Sequence, residues 1–350
     1  MERKTEMLGG VMDRQENLRG FIERAGWGNA EISPLAGDAS NRRYDRLHQP
    51  DGMSAVLMDA PPSKGEDIRT FVNIATYLTN IGLSAPRIFA QDPKQGFLML
   101  EDLGDALFAR VIAADPTLEN TLYEAAIDTL VHLHRAPPPA LQRFSADVSA
   151  PSAALVYDWY RFGATGEDDA GARDAFTSLF QETLAPLDVQ PQVLIQRDYH
   201  AENLLWLPER EGPARVGLLD FQDAMLGHTA YDLVSVLQDA RRDVPAPVEQ
   251  AMIKRFLDQS PQDPDQFTAA YATLGLQRNL RILGVFARLC IRDGKVHYVD
   301  LIPRVWGHIQ TNLRHPTLQA IADHIDQSLP PPTPEVLDIL RSKCATLPDR

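Results

Sequence analysis

Residues 195–224 read IQRDYHAENLLWLPEREGPARVGLLDFQDA. Two apolar runs, LLWL (204–207) and VGLLDF (216–221), flank PEREGPAR, the pattern of a β-hairpin with a long loop. Asp198 and Asn203 stand just before the first run and Asp220 at the end of the second, so the hairpin predicts that the three gather at one mouth. A magnesium nucleotide takes few protein ligands, because Mg²⁺ keeps waters and phosphate oxygens, and those few are hard oxygens. An acceptor hydroxyl needs a carboxylate beside it. Asp198, Asn203 and Asp220 supply that set.

Working outward, strand signals dominate before about residue 105. ISPLAGDASNRRYDRL (32–47) holds a GDASN turn between two extended pieces, and SAVLMDAP (54–61) and GFLMLEDL (96–103) are short apolar runs. Between the last two, Ile68, Phe71, Ile74, Ala75 and Leu78 recur at helical spacing. The expected order is strand, strand, strand, helix, strand. From Leu118 onward helical patterns prevail, as in the stripe Leu122, Ala126, Thr129, Leu130, Leu133. Pro-rich stretches at 136–144 and 328–336 read as connections, and GATGEDDAGARD (163–174) as an exposed acidic loop. The class is α+β.

The chain has 350 residues, 44% of them hydrophobic and 7% aromatic, and a formal charge of −14, which excludes disorder and disfavours nucleic acid or anionic membrane as a general partner. No run approaches the roughly 18 apolar residues of a membrane span. The N-terminus lacks the apolar region of a signal peptide, and Cys290 and Cys344 form no disulfide framework. A reducing cytoplasm is the expected compartment, and no obligate protein partner is indicated.

Asp198 followed five residues on by Asn203, then Asp220-Phe221 on the next strand, resembles the aminoglycoside phosphotransferase family, with its protein-kinase-like fold. The likeness extends to LAGDASNRRYDR (35–46), VLMDAPPSK (56–64), GLLDFQDAMLGHTAYDLVSVLQDARRD (217–243) and RNLRILGVFARLCIRDGK (278–295). Within the family these stretches are most similar to the sugar kinases of peptidoglycan recycling. The resemblance implies two lobes: an extension (1–11), a β-rich nucleotide-binding N-lobe (12–100), a hinge (101–105) and a helical catalytic and sugar-binding C-lobe (106–350).

It further implies an ATP-dependent kinase that phosphorylates the anomeric hydroxyl of N-acetylmuramate and N-acetylglucosamine. Asp198 would be the catalytic carboxylate, with Mg²⁺ on Asn203 and Asp220. ATP would lie with its phosphates under the loop Gly37, Asp38, Ala39, Ser40, Asn41, near Arg43, and its adenine against the hinge at Glu101 and Leu103. Two positions depart from the family pattern. Gln196 stands where many members have His, and Met58 where the third strand usually offers Lys or Arg to the phosphates. Arg42, Arg43 and Lys64 are the candidates for that charge. A kinase for another hydroxylated molecule, aminoglycoside- or choline-kinase-like, and an inactive nucleotide-binding regulator are the alternatives.

Further residues on the same segments carry expectations of their own. His132 and His134, two apart on a helix, point away from one another and are structural. His200 orients the loop, Asp232 buttresses it or caps a helix, and Asp223 supports the site from further out. Residues 276–315 hold seven Lys and Arg against two Asp. Arg278, Arg281, Arg288 and Arg292 fall within about 80° on one helix whose other faces are apolar. That stripe suggests a basic wall for an anionic acceptor, since a guanidinium fork suits the lactyl carboxylate of N-acetylmuramate.

Overall fold

Alternation of apolar and polar residues in the first hundred positions builds an antiparallel sheet. The computed structural model describes residues 14–35 and 41–347, so the expected phosphate-loop residues Gly37, Asp38, Ala39 and Ser40, and the extension 1–11, lie outside the described residues. Strands β1 (Glu31–Pro34), β2 (Arg43–His48), β3 (Ser54–Asp59), β4 (Ile88–Asp92) and β5 (Phe97–Glu101) run in the order β1-β2-β3-β5-β4. Leu47 pairs with Ala55 and Leu57 with Met99, which turns these four to one face. Helix α1 (14–24) covers that face with Leu18, Phe21 and Ile22, joined by Trp27. Tyr44, Arg46, Val56, Met58 and Leu98 therefore lie on the other face.

Helix α2 (Ile68–Asn80) begins where Asp67 accepts the Arg69 N–H, and it buries the expected stripe Ile68, Phe71, Ile74, Ala75 and Leu78. Strand β4 was not expected, because IFAQD is five residues long and half exposed. A short helix α3 (Phe108–Ala114) follows the sheet.

Strand β6 (Gln192–Ile195) pairs with β9 (Met225–His228), and between them in sequence the expected hairpin is present as β7 (Leu204–Trp206) paired to β8 (Val216–Leu218). The outer pair β6–β9 carried no separate sequence signal. Contacts divide the chain into two units, one of residues up to Ala114 with Glu202–Asp223, the other of Asp115–Ala201 with Ala224–Arg350. The inner hairpin thus groups with the strand-rich unit, and the break expected at 101–105 falls inside that unit. The cause is hydrogen bonding: Leu218 N–H donates to Ser84 O at 2.9 Å and Trp206 N–H to Ala106 O at 2.8 Å. Gly217 permits the close pairing, since a Cβ there would lie 2.9 Å from Leu205 Cβ.

The second unit is mainly helical: α4 (Glu119–Arg135), α5 (Ala146–Ala153), a π-helical turn (Val156–Arg161), α6 (Phe162–Thr165), α7 (Ala170–Asp188), α8 (Ala230–Leu237), α9 (Ala246–Gln259), α10 (Pro264–Ile291), α11 (Ile302–Leu313), α12 (Gln319–Ser328) and α13 (Pro334–Ser342). The acidic loop expected over 163–174 shrinks to 166–169, because Asp169 accepts the Ala172 N–H at 2.9 Å and starts α7. Helix α10 is the axis of the unit, packing on α5, α8, α11 and the π-helical turn. Its other faces are not wholly apolar. Buried Asn279 donates to Gln238 Oε1 at 2.8 Å, and buried Gln277 donates to Ser149 O at 2.9 Å.

Candidate active site

Two backbone positions mark the site. Only three non-glycine residues among those described have positive φ, and two of them are Arg197 (φ 74°) and Asp220 (φ 57°). Side chains avoid that region unless surrounding bonds impose it, and such strain collects at functional positions.

In the helical unit, the bonds that impose it come from Asp232, near the start of α8. Its Oδ2 accepts the Gln196 N–H at 2.6 Å and its Oδ1 the Arg197 N–H at 2.9 Å. Ser235 Oγ donates to Arg197 O at 3.2 Å, and Tyr199 Oη to Ala126 O at 2.8 Å. The residues on both sides of Asp198 are therefore tied down, while Asp198 itself is partly exposed. Asp232 is fully buried, and burial pushes its carboxyl up to about 7 despite the two backbone donors and the nearby Arg278. His200 is buried with Nε2 3.3 Å from Arg241 Nη1. Burial, then Arg241 and Arg278, hold its pKa well below the ordinary histidine range. A neutral ring bound to an arginine fits orientation of the loop better than proton transfer.

In the strand-rich unit, Asn203 and Asp220 stand across the mouth of the hairpin. Leu219 N–H donates to Asn203 O at 3.0 Å, and Asn203 Nδ2 lies 3.5 Å from Asp220 Oδ2. Gln222 Nε2 donates to Asp220 Oδ1 at 2.6 Å. Phe221, buried, packs on Phe71 of α2 with ring centroids 4.9 Å apart and so anchors the turn that presents Asp220. An amide and a carboxylate, both oxygen donors and few in number, fit a magnesium ion that keeps phosphate and water ligands. Asp223 is exposed at the end of this turn.

The hinge candidates have distinct environments. Leu103 packs with Leu205 and Leu207 of the hairpin and forms an apolar shelf. The Glu101 carboxylate is engaged by Arg210 at 2.8 Å and Arg87 at 3.0 Å, so its side chain braces the hairpin loop against β5. Asn41 donates to Lys64 O at 3.3 Å, which sets Lys64 beside the end of the expected phosphate loop. Of the three candidate cations, Arg42 pairs with Glu66 at 2.7 Å and Arg43 with Asp45 at 3.0 Å, while Lys64 is exposed and makes no ion pair among the described residues. Met58 is buried opposite Tyr44 and Leu98. Sequence reasoning missed Arg46, which shares the face of Met58 one strand away and pairs with Asp102 at 2.9 Å and Asp105 at 2.8 Å. The acidic residues on either side of Leu103-Gly104 were the available signal for it.

The arginine stripe is not uniform. Arg292 caps the C-terminus of α10 and pairs with its neighbour Asp293 at 2.7 Å. Arg278 is buried, and Arg281 and Arg288 are partly exposed.

A model of the phosphotransferase enzyme family matches residues 31–269. The N-acetylmuramate/N-acetylglucosamine kinase of Caulobacter vibrioides is 38% identical over 91% of this chain and 97% of its own length. The protein of the same name from Pseudomonas aeruginosa is 35% identical, covering 85% of this chain and 89% of its own. Choline kinase LicA from Streptococcus pneumoniae superposes with a TM-score of 0.60 at 13% identity, over 85% of this chain and 99% of its own. The fold is that of a protein-kinase-like phosphotransferase. The chain belongs to the phosphotransferase enzyme family.

Proposed function

We propose that the protein is an ATP-dependent kinase that phosphorylates the anomeric C1 hydroxyl of N-acetylmuramate and N-acetylglucosamine in peptidoglycan recycling. The observation that carries this reading is the likeness over nearly the whole chain to two kinases of those sugars. The chemistry of the loop supports it. Asp198 is a carboxylate set between anchored neighbours, suited to orient a hydroxyl and accept its proton late, as the oxygen attacks the γ-phosphoryl group. Mg²⁺, when bound by Asn203 and Asp220, would neutralise phosphate charge. The backbone that holds these residues limits their motion, so catalysis is mainly positioning and charge neutralisation. Lys64, whose backbone oxygen accepts from Asn41, supplies the cation that Met58 cannot.

A panel of sugars with ATP and magnesium tests the reading. Turnover of the two N-acetylated sugars above choline and aminoglycosides supports it, and preference for either of the latter overturns it. The site serves an enzyme that works where both ATP and free amino sugars are present, which is the cytoplasm.

A further inference from the structure

On α10 the three residues Gln277, Arg278 and Asn279 are all buried, yet only two have partners. Gln277 is directed to α5 through Ser149 O, and Asn279 to α8 through Gln238. Arg278, 4% exposed, leaves Nη1 buried with no hydrogen-bond partner among the described residues. A buried donor without a partner costs the full desolvation of that group, so such groups in native proteins call for a ligand or water. Two further buried polar atoms close to it in the same unit, Tyr231 Oη and Asp239 Oδ2, are also without partners.

Arg281 follows one turn later on the same side of the helix, partly exposed, and makes no ion pair among the described residues. Two guanidinium groups three positions apart repel one another, and neither is neutralised by an acid at ion-pair distance. Asp198, Asp232 and Asp239 are the acidic neighbours of Arg278, and it makes an ion pair with none of them; Asp232 is already engaged by the Gln196 and Arg197 N–H groups. An anion between Arg278 and Arg281 relieves the repulsion and fills the vacant donor, while Asp198 addresses another part of the same molecule. Arg288, with Nε buried and unpartnered, lies further along the same stripe.

Resting on the sugar-kinase reading above, we infer that Arg278 and Arg281 together form the receptor for the acceptor's carboxylate. That makes them the residues that separate N-acetylmuramate, which carries a lactyl carboxylate on O3, from N-acetylglucosamine, which carries a hydroxyl there. The receptor is a pair rather than the whole stripe, and Arg292 has no part in it.

The decisive probe is N-acetylmuramate methyl ester, which keeps the anomeric hydroxyl and the lactyl chain but removes the charge. For the native enzyme kcat/KM should favour the free acid over the ester by roughly tenfold to a hundredfold, the effect of one charge-assisted hydrogen bond. Arg281→Gln, a substitution at a partly exposed position, should bring that ratio close to one, and Arg278→Lys should lower it. An acid-to-ester ratio near one in the native enzyme overturns the receptor even if every Arg278 variant fails to fold. A ratio unchanged in both variants also overturns it, since a merely structural arginine lowers both activities together. Absence of turnover with all three sugars instead overturns the sugar-kinase reading, and the receptor with it.

Discussion

Asp232 Oδ1 accepts the backbone N–H of Arg197 at 2.9 Å, and through that bond a buried residue at the start of α8 sets the conformation of the residue preceding Asp198. The left-handed φ of Arg197 is sustained by it. Asp232→Asn keeps the volume but turns an amide N–H₂ toward one of two N–H donors. We expect kcat to fall by roughly tenfold to a hundredfold, because small misplacements of a reacting group have effects of that size. The pH dependence of stability that the raised Asp232 carboxyl brings between 3.8 and about 7 should be absent from the variant. Native kcat in the variant would show that the clamp has no role in positioning.

Asp198→Asn removes the proton acceptor while leaving the tied loop around it. The expected loss in kcat is about a hundred- to ten-thousand-fold, with ATP affinity preserved in calorimetry. Asp220→Ala should show the opposite split, with magnesium-dependent nucleotide binding lost because an anionic oxygen ligand is gone. Equal nucleotide affinity in the two variants contradicts the assigned roles.

Lys64→Ala should raise KM for ATP about tenfold or more, as expected for a lost charged contact to phosphate. Arg42→Ala should act differently. Its partner Glu66 is only 14% exposed, and an acid left there without its cation lowers the melting temperature. If Lys64→Ala leaves ATP kinetics unchanged, the charge absent at Met58 comes from another residue.

Stability should depend on pH through two histidines, His228, which is buried, and His134, which is partly buried with both ring nitrogens shielded from solvent. Burial lowers the His134 pKa to about 3 and the His228 pKa to about 4, both beneath the ordinary 6.5. The unfolded chain then binds more protons below pH 6.5, so the stability these rings contribute at neutral pH is lost as pH falls toward 4 and 3. Asp232 acts in the opposite sense, since its raised pKa means that folding is disfavoured as pH rises from 3.8 to about 7. His134 has neither ring nitrogen hydrogen-bonded among the described residues and packs edge-on against Phe256, which makes Phe a tolerable replacement. Relative to the native protein, His134→Phe should gain about 3 kcal/mol between pH 6.5 and pH 4. A difference independent of pH in denaturant melts contradicts the assignment.

Much of this architecture was legible where local pattern and tertiary environment agree. Ile68 to Leu78 read as a helix because all five stripe residues are buried on one side, and 204–221 read as a hairpin because a long polar loop separates two apolar runs. The strands β4, β6 and β9 were not legible. Each has four or five residues, and each is specified by a pairing partner distant in sequence or by a bulge rather than by its own alternation. The grouping of the hairpin with the strand-rich unit was hidden for the same reason, since Ser84 and Ala106, which bind it, lie a hundred residues or more away. The loop chemistry of Asp198, Asn203 and Asp220 was readable from spacing, but the difference between Arg278 and Arg292 was not. Helical angle places both on one stripe, and only burial and the Asp293 partner tell them apart.

Phosphorus NMR of the product formed from N-acetylmuramate, ATP and magnesium tests the central claim most directly. The expected product gives a phosphomonoester signal split by a single proton, the anomeric H1, together with ADP. A signal coupled to H4, or to the two H6 protons, places the phosphate on another hydroxyl and contradicts the claim, as does a spectrum in which ATP yields only inorganic phosphate.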